Sequence, residues 1–189
     1  MRKLFGTDGI RTEFGQYPLD SETILKLGQS IGNYLGKGKC LIGRDTRESG
    51  PEIQKLLVDG LNKLGIDVYL LGVTSTPVVS FLTKKLGMDF GIVISASHNP
   101  SQDNGIKIFN QEGFKLTDFQ EEEIEKIFFS EEKLVHNEKG LVVDYRHQVD
   151  LYTNFLKNQG NDLTGLKIVL DCAHGAAFEL APKIFSDLG

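Results

Sequence analysis

Short apolar runs alternate with amphipathic stretches along most of the chain. Residues Ile24, Leu27, Ile31, Tyr34 and Leu35 recur at helical spacing, which predicts a helix over Leu19 to Leu35. Cys40-Leu41-Ile42 reads as a short buried strand ending at Gly43. Ser49 and Glu52 form a capping-box pattern with Pro51 in the first turn, and Ile53, Leu56, Leu57, Gly60, Leu61 and Leu64 continue that helix on one face. Val68 to Leu71 is a strand, and Thr76-Pro77 opens a helix that stops at Leu86-Gly87. Phe90 to Ile94 is a third strand, followed by a polar loop from Ser95 to Asn104. Ile106 to Phe109 is a fourth strand, closed by a turn at Gln111-Glu112-Gly113. Thr117 and Gln120 make a second capping box before Ile124, Ile127 and Phe128.

The pattern then changes. Residues 130–143 read as a charged, irregular link, and Tyr145 to Lys157 as a helix with Val149, Tyr152, Phe155 and Leu156 inward. A polar stretch from Asn158 to Gly165 precedes a restart: a strand Lys167 to Asp171, a turn Cys172 to Gly175 and a helix Ala176 to Leu188. Strands separated by helices imply an α/β domain with parallel pairing and right-handed crossovers. We divide the chain into residues 1–143, one complete domain, and 144–189, a linker helix with the truncated start of a second domain. A single βα unit cannot build a sheet covered on both faces. The Asn161–Gly189 segment is therefore expected to be weakly anchored. Ligands of such sheets bind beyond the C-terminal ends of the strands, which directs attention to the loops after Ile42, Leu71, Ile94 and Leu170.

Composition narrows the function classes. The 189 residues carry a net charge of −5, which gives no global attraction for nucleic acid or an anionic membrane. It also disfavours phosphorylated ligands unless positive charge is gathered locally. Glycine is abundant, at 21 residues, and many follow apolar runs, where backbone amides can approach an anion closely. Cys40 and Cys172 are read as free thiols in a reducing compartment. No apolar run is long enough to span a bilayer, and Arg2-Lys3 leads directly into a Gly-rich stretch rather than a signal sequence, so the reading is cytoplasmic.

Candidate chemistry gathers at the strand ends. The loop Ser95-Ala96-Ser97-His98-Asn99-Pro100 holds two hydroxyls, an imidazole and an amide. Its plainer reading is a polar loop that contains a histidine. A Ser97–His98 hydrolase pair is disfavoured, because neighbouring side chains of an extended loop point apart and Ser97 is not set in a Gly-x-Ser-x-Gly elbow. Strand alternation puts Ile106 and Ile108 on one face, with Lys107 and Phe109 on the other. Lys107 is then either an edge residue reaching solvent or a cation aimed into a site. As a general base it would need its pKa brought well below about 10.4. Arg11, in Phe5-Gly6-Thr7-Asp8-Gly9-Ile10-Arg11, could hold a phosphate bidentately. Gly43-Arg44-Asp45-Thr46-Arg47 reads more readily as an Arg–Asp turn bracing neighbouring loops than as a substrate contact.

The segments Gly6-Thr7-Asp8-Gly9-Ile10-Arg11, Gly43-Arg44-Asp45-Thr46-Arg47, Ser95-Ala96-Ser97-His98-Asn99-Pro100 and Asp103-Asn104-Gly105-Ile106-Lys107 occur in this order in the α-D-phosphohexomutase superfamily, which the chain resembles over essentially its whole length. The resemblance is strongest to the bacterial phosphoglucosamine mutases. Asp171-Cys172-Ala173-His174-Gly175-Ala176 is similar to the start of that family's second domain. The resemblance implies a three-layer αβα domain with a mixed, mostly parallel sheet, plus the first βα unit of a second similar domain. It implies that Ser97 is phosphorylated and gives its phosphoryl group to a hexosamine 6-phosphate. A bisphosphate forms, reorients and returns the other phosphate. His98 and Lys107 are implied as acid/base and electrostatic partners, with Arg11 supporting them. Mg²⁺ is implied as cofactor, held by the phosphate on Ser97 and by an Asp-x-Asp-x-Asp motif. No Asp-x-Asp occurs in this chain, and Arg11 is followed by Thr12-Glu13 where the family commonly has Gly. The implied partner is a phosphorylated hexosamine, with no nucleic acid or membrane, and a homodimer is left open. A phosphomannomutase or phosphoglucomutase is the neighbouring alternative, and a non-catalytic binding domain of the same fold is the alternative of another class.

Overall fold

The computed structural model describes residues 4–130 and 139–189. Its strands are β1 (Ile10–Glu13), β2 (Lys39–Arg44), β3 (Asp67–Val73), β4 (Phe90–Ile94), β5 (Asp103–Asn110) and β6 (Val142–Asp144). Its helices are α1 (Ser21–Leu35), α2 (Gly50–Lys63), α3 (Thr76–Lys85), α4 (Asp118–Phe129), α5 (Val149–Gln159) and α6 (Leu180–Asp187). The strands form one sheet in the order β1-β5-β4-β2-β3-β6. β4, β2, β3 and β6 run parallel, while β5 is antiparallel to both β4 and β1. The sheet is thus mixed, as the family resemblance implied and the simple β/α alternation did not.

Period-two alternation divides the core into two halves. Cys40, Ile42, Ile92, Ile94, Ile106 and Ile108 face α1, α2 and α4, packing on Ile24, Leu27, Ile53, Leu57 and Ile124. Leu41, Leu71, Val93 and Phe109 face the other way, onto Val78, Val79 and Leu82 of α3. α5 adds to this second layer through aromatic contacts. The ring of Phe81 lies 5.3 Å from that of Tyr152 and 4.8 Å from that of Phe155. α1 and α2 cross closely at Gly28 and Gly60, where a Cβ on Gly60 would lie 2.4 Å from the Leu25 carbonyl oxygen.

The Thr117–Gln120 capping box is formed as expected at the start of α4. The Ser49–Glu52 box is not: Ser49 makes no side-chain cap bond, and its hydroxyl instead accepts from Asn104 Nδ2 at 2.9 Å. β1 was not anticipated. The chain between Tyr145 and Gln148 is a turn with a short 3₁₀ segment rather than the start of α5. Residues 167–171 carry no strand pairing, because no neighbouring strand among the described residues is placed to bond them, and the last helix begins at Leu180 rather than Ala176. Residues 164–170 are exposed throughout, while Ile184 of α6 is buried and Lys183 and Asp187 of α6 pair with Asp150 and Lys157 of α5. Most of the charged link, residues 131–138, lies outside the described residues. Among the described residues no helix is long and apolar enough to cross a membrane.

Candidate active site

The loops after β2, β3 and β4 meet the turn at residues 172–177 around an open cleft of about 990 Å³. These are the four places to which the strand ends pointed. Asp45 to Glu48 come from the first loop, Ser75 to Pro77 from the second, and Ser95, Ser97, His98 and Asn99 from the third. Cys172 to Ala177 close the opposite side. Parallel strands β2, β3 and β4 all end at this edge, so their loops cannot avoid one another.

Ser97 is exposed to the cleft and adopts a left-handed backbone, with φ of 59°. A non-glycine residue there is costly, by about 1–2 kcal/mol, so its surroundings must impose it. The loop supplies some of this. Ser97 N–H donates to Ser95 Oγ at 3.0 Å, Asn99 N–H to the Ala96 carbonyl at 3.1 Å, and Asp103 N–H to the Pro100 carbonyl at 3.1 Å. The left-handed turn also corrects the expectation for His98. The loop is not extended, and Ser97 Oγ lies 3.3 Å from His98 Nδ1, within hydrogen-bonding reach. Neighbouring side chains therefore converge instead of pointing apart. No carboxylate among the described residues bonds to His98, so a Ser–His–Asp relay is still incomplete.

Arg47 also lines the cleft, with its guanidinium turned onto the serine loop. Its Nε donates to Asp45 Oδ2 at 3.0 Å. Nη1 donates to the carbonyls of Pro100 and Asp103, and Nη2 to those of Ser97 and Asn99. This favours the bracing role over substrate contact for this turn. Arg44 turns back onto the Asp45 carbonyl, and Thr46 Oγ1 donates to the His174 carbonyl at 2.7 Å, tying the turn to the far wall of the cleft.

Lys107 and Arg11 lie on adjacent strands. β1 pairs with β5 so that Arg11 faces Gly105, and Ile106 and Ile108 are buried on one face while Lys107 emerges on the other. Lys107 Nζ is 2.6 Å from Asp8 Oδ2, and Arg11 Nη2 is 2.8 Å from the same oxygen. Arg11 Nη1 also reaches Asn99 Oδ1 of the serine loop at 3.5 Å. The half-buried Lys107 is thus neither free in solvent nor isolated; it is part of a cation pair organised by Asp8. Asp8 had no assigned role in the sequence reading. Its position three residues before Arg11, in a Gly-flanked turn, was the signal available. Asn104 was missed too. It is fully buried, donates to Ser49 Oγ and accepts from the Gly105 N–H, and so ties the root of the serine loop to α2.

The cleft presents a hydroxyl and an imidazole in contact; Lys107 and Arg11, paired with Asp8, are not among the residues that line it, and Arg11 reaches the serine loop only through Asn99. The Ser97–His98 pair can exchange a proton between the Ser97 oxygen and the His98 ring. It does not by itself hold a divalent metal: among the described residues no group of three or more His, Cys, Asp or Glu side chains gathers as a metal site.

Residues 2–135 match the family model described as phosphoglucomutase/phosphomannomutase, α/β/α domain I. The whole chain is similar to a phosphoglucosamine mutase from Deinococcus deserti, with 45% identity over 197 residues, and to one from Thermus thermophilus, with 47% over 195 residues. In each case all of the chain aligns with 44% of the relative, so it spans less than half the length of these curated proteins. Among solved structures, a phosphoglucomutase/phosphomannomutase family protein from Burkholderia thailandensis superposes with a TM-score of 0.84 and 29% identity, covering 98% of this chain and 42% of that one.

Proposed function

We propose a function from one premise: the chain belongs to the phosphoglucomutase/phosphomannomutase family, whose α/β/α domain I it carries. The full-length protein interconverts glucosamine 6-phosphate and glucosamine 1-phosphate, with Ser97 as the phosphoryl carrier. The observation that supports this most directly is the left-handed Ser97 at the end of β4, exposed to the cleft beside His98.

In the forward direction the sugar's O1 hydroxyl attacks the phosphorus on Ser97. The phosphorus–Oγ bond breaks, the O1 proton passes to a nearby base, and a 1,6-bisphosphate results. After the bisphosphate turns over, Ser97 Oγ attacks the 6-phosphate, O6 leaves and takes up a proton, and glucosamine 1-phosphate remains. Phosphoryl transfer of this kind depends mainly on positioning and on neutralising charge. His98, in contact with Ser97 Oγ, is positioned to exchange the proton. Lys107 and Arg11 supply positive charge from the neighbouring strands. Mg²⁺, which the family resemblance implies, finds no ligand set among the described residues. It would have to be held largely by parts of the longer protein. For the same reason this chain alone is expected to be inactive as a mutase.

The preference for glucosamine rests on the 45–47% relatives named phosphoglucosamine mutase. The family description favours a second reading, a phosphomannomutase or phosphoglucomutase. The test compares glucosamine, mannose and glucose phosphates on the full-length protein and weighs intact protein for a phosphate on Ser97. Phosphate and activity lost together in Ser97→Ala are expected; full activity in that variant would remove Ser97 as the carrier. A mannose or glucose phosphate rate far above that on glucosamine phosphate would transfer the assignment to the second reading.

A further inference from the structure

We propose that Arg47, locked to Asp45, is a positioning residue for phosphoryl transfer: by gripping the main-chain carbonyls of the serine loop it holds Ser97 in its left-handed conformation and so sets the direction of Oγ. This rests on the reading of Ser97 as the phosphoryl carrier.

A guanidinium has five N–H donors in a fixed planar fork. In Arg47 all five are used by the protein. One goes to the Asp45 carboxylate at 3.0 Å, and four go to main-chain carbonyls of the serine loop. No donor is left for a substrate phosphate, which separates Arg47 from Arg11. The side chain is only 9% exposed, and that of Asp45 11%. Asp45 Oδ1 also accepts the Arg47 backbone N–H at 3.0 Å, so the carboxylate fixes the orientation of the fork as well as balancing its charge.

The four carbonyls belong to Ser97, Asn99, Pro100 and Asp103. In a loop without regular structure these oxygens would diverge, each seeking its own donor. Convergence on one cation curls the loop about Arg47, and Ser97 and His98 stand on that curl, exposed in the cleft. Ser97 is held on both sides: its N–H by Ser95 Oγ and its carbonyl by Arg47 Nη2 at 3.0 Å. A lysine could not reproduce this, because its ammonium has three donors and no plane. Displacing a nucleophile by about 1 Å can cost on the order of 10²-fold in rate while leaving ground-state binding intact.

The experiment uses the full-length protein. Arg47→Lys and Arg47→Ala are measured for kcat and KM on the hexosamine phosphate, with thermal unfolding to establish that each is folded. Arg47→Lys is expected to lower kcat by about 100-fold with KM within twofold of wild type. Added guanidinium ion is expected to restore at least tenfold of the activity lost in Arg47→Ala, and to restore none in Ser97→Ala. A folded Arg47→Lys with kcat within twofold of wild type overturns the proposal, as does a loss confined to KM, which would mean substrate contact. Should both Arg47 variants fail to fold, Asp45→Asn decides. It keeps the four carbonyl bonds but loosens the fork, and unchanged kcat there overturns the proposal. Full activity in Ser97→Ala would instead overturn the reading beneath it, whatever the Arg47 variants do. Activity lost in Ser97→Ala but unchanged in Arg47→Lys would remove the role of Arg47 alone.

Discussion

Lys107 Nζ lies 2.6 Å from Asp8 Oδ2, across the short gap between the N-terminal turn and β5. Arg11 shares that oxygen at 2.8 Å, and the Lys107 side chain is 19% exposed. The arrangement pairs both cations with one carboxylate, and Arg11 reaches the serine loop through Asn99. We expect Lys107→Met in the full-length protein to lower kcat by about 10²-fold or more, within the range of a lost acid/base or charge-stabilising group. Stability should change little, because a partly exposed ion pair contributes about 1 kcal/mol or less. Steady-state rates and chemical denaturation on the same preparation check both halves. A variant with wild-type kcat would reduce Lys107 to an edge residue.

Much of this frame is legible in the sequence where the information is local. The alternation of Ile106, Lys107, Ile108 and Phe109 assigns each residue to its observed face, and Thr117 and Gln120 form their capping box. What escapes is decided by distant partners. β1 is four residues, Ile-Arg-Thr-Glu, with no strand signal of their own; it exists because β5 offers an edge to pair. Ser49 fails to cap α2 because its hydroxyl is engaged by Asn104. The same holds for Ser97, whose carbonyl is held by Arg47 from another loop, so local chemistry alone left the path extended or turned and did not bring the Ser97 and His98 side chains together. Residues 167–171 show the converse, a strand-like sequence that has no neighbour to pair with among the described residues.

The contact of α1 with α2 gives a second expectation. At Gly60 an added Cβ would meet the Leu25 carbonyl oxygen at 2.4 Å, and at Gly28 the Leu57 carbonyl oxygen at 2.8 Å. Both obstacles are backbone, which cannot rotate away. Alanine would raise helix propensity by about 1 kcal/mol, but overpacking at a tight crossing typically costs about 1–3 kcal/mol. Gly60→Ala is expected to be net destabilising in denaturant titration. A stabilised variant would mean that the two helices separate at little cost.

Asp20 caps α1, accepting from the Thr23 N–H at 3.0 Å and the Thr23 hydroxyl at 2.7 Å. Burial works against its ionisation, but these hydrogen bonds outweigh it and hold the carboxyl below its ordinary 3.8. A carboxylate with a depressed folded-state pKa stabilises above its unfolded pKa, and that stabilisation is lost as pH falls through the folded value. Asp20→Ala should therefore cost about 1 kcal/mol near neutral pH. The difference from wild type should shrink below about pH 4. Denaturation at pH 7 and pH 3 tests this, and a gap that widens in acid would contradict it.

The two thiols should part company in their reactivity. Cys40 sits fully buried in the centre of the sheet, where burial, with the charge of Asp89 adding to it, pushes its thiol pKa well up. The thiolate is the reactive form, so Cys40 is shielded both by access and by protonation. Cys172 is half-buried in the turn that lines the cleft opposite Ser97. An alkylating reagent at mildly alkaline pH should label Cys172 in the native protein, and Cys40 only as fast as the sheet opens. Peptide mapping over time, with and without denaturant, separates the two. Equal native rates at both positions would mean that β2 is not held in the interior, and with it the Asp45–Arg47 turn that β2 carries into the cleft.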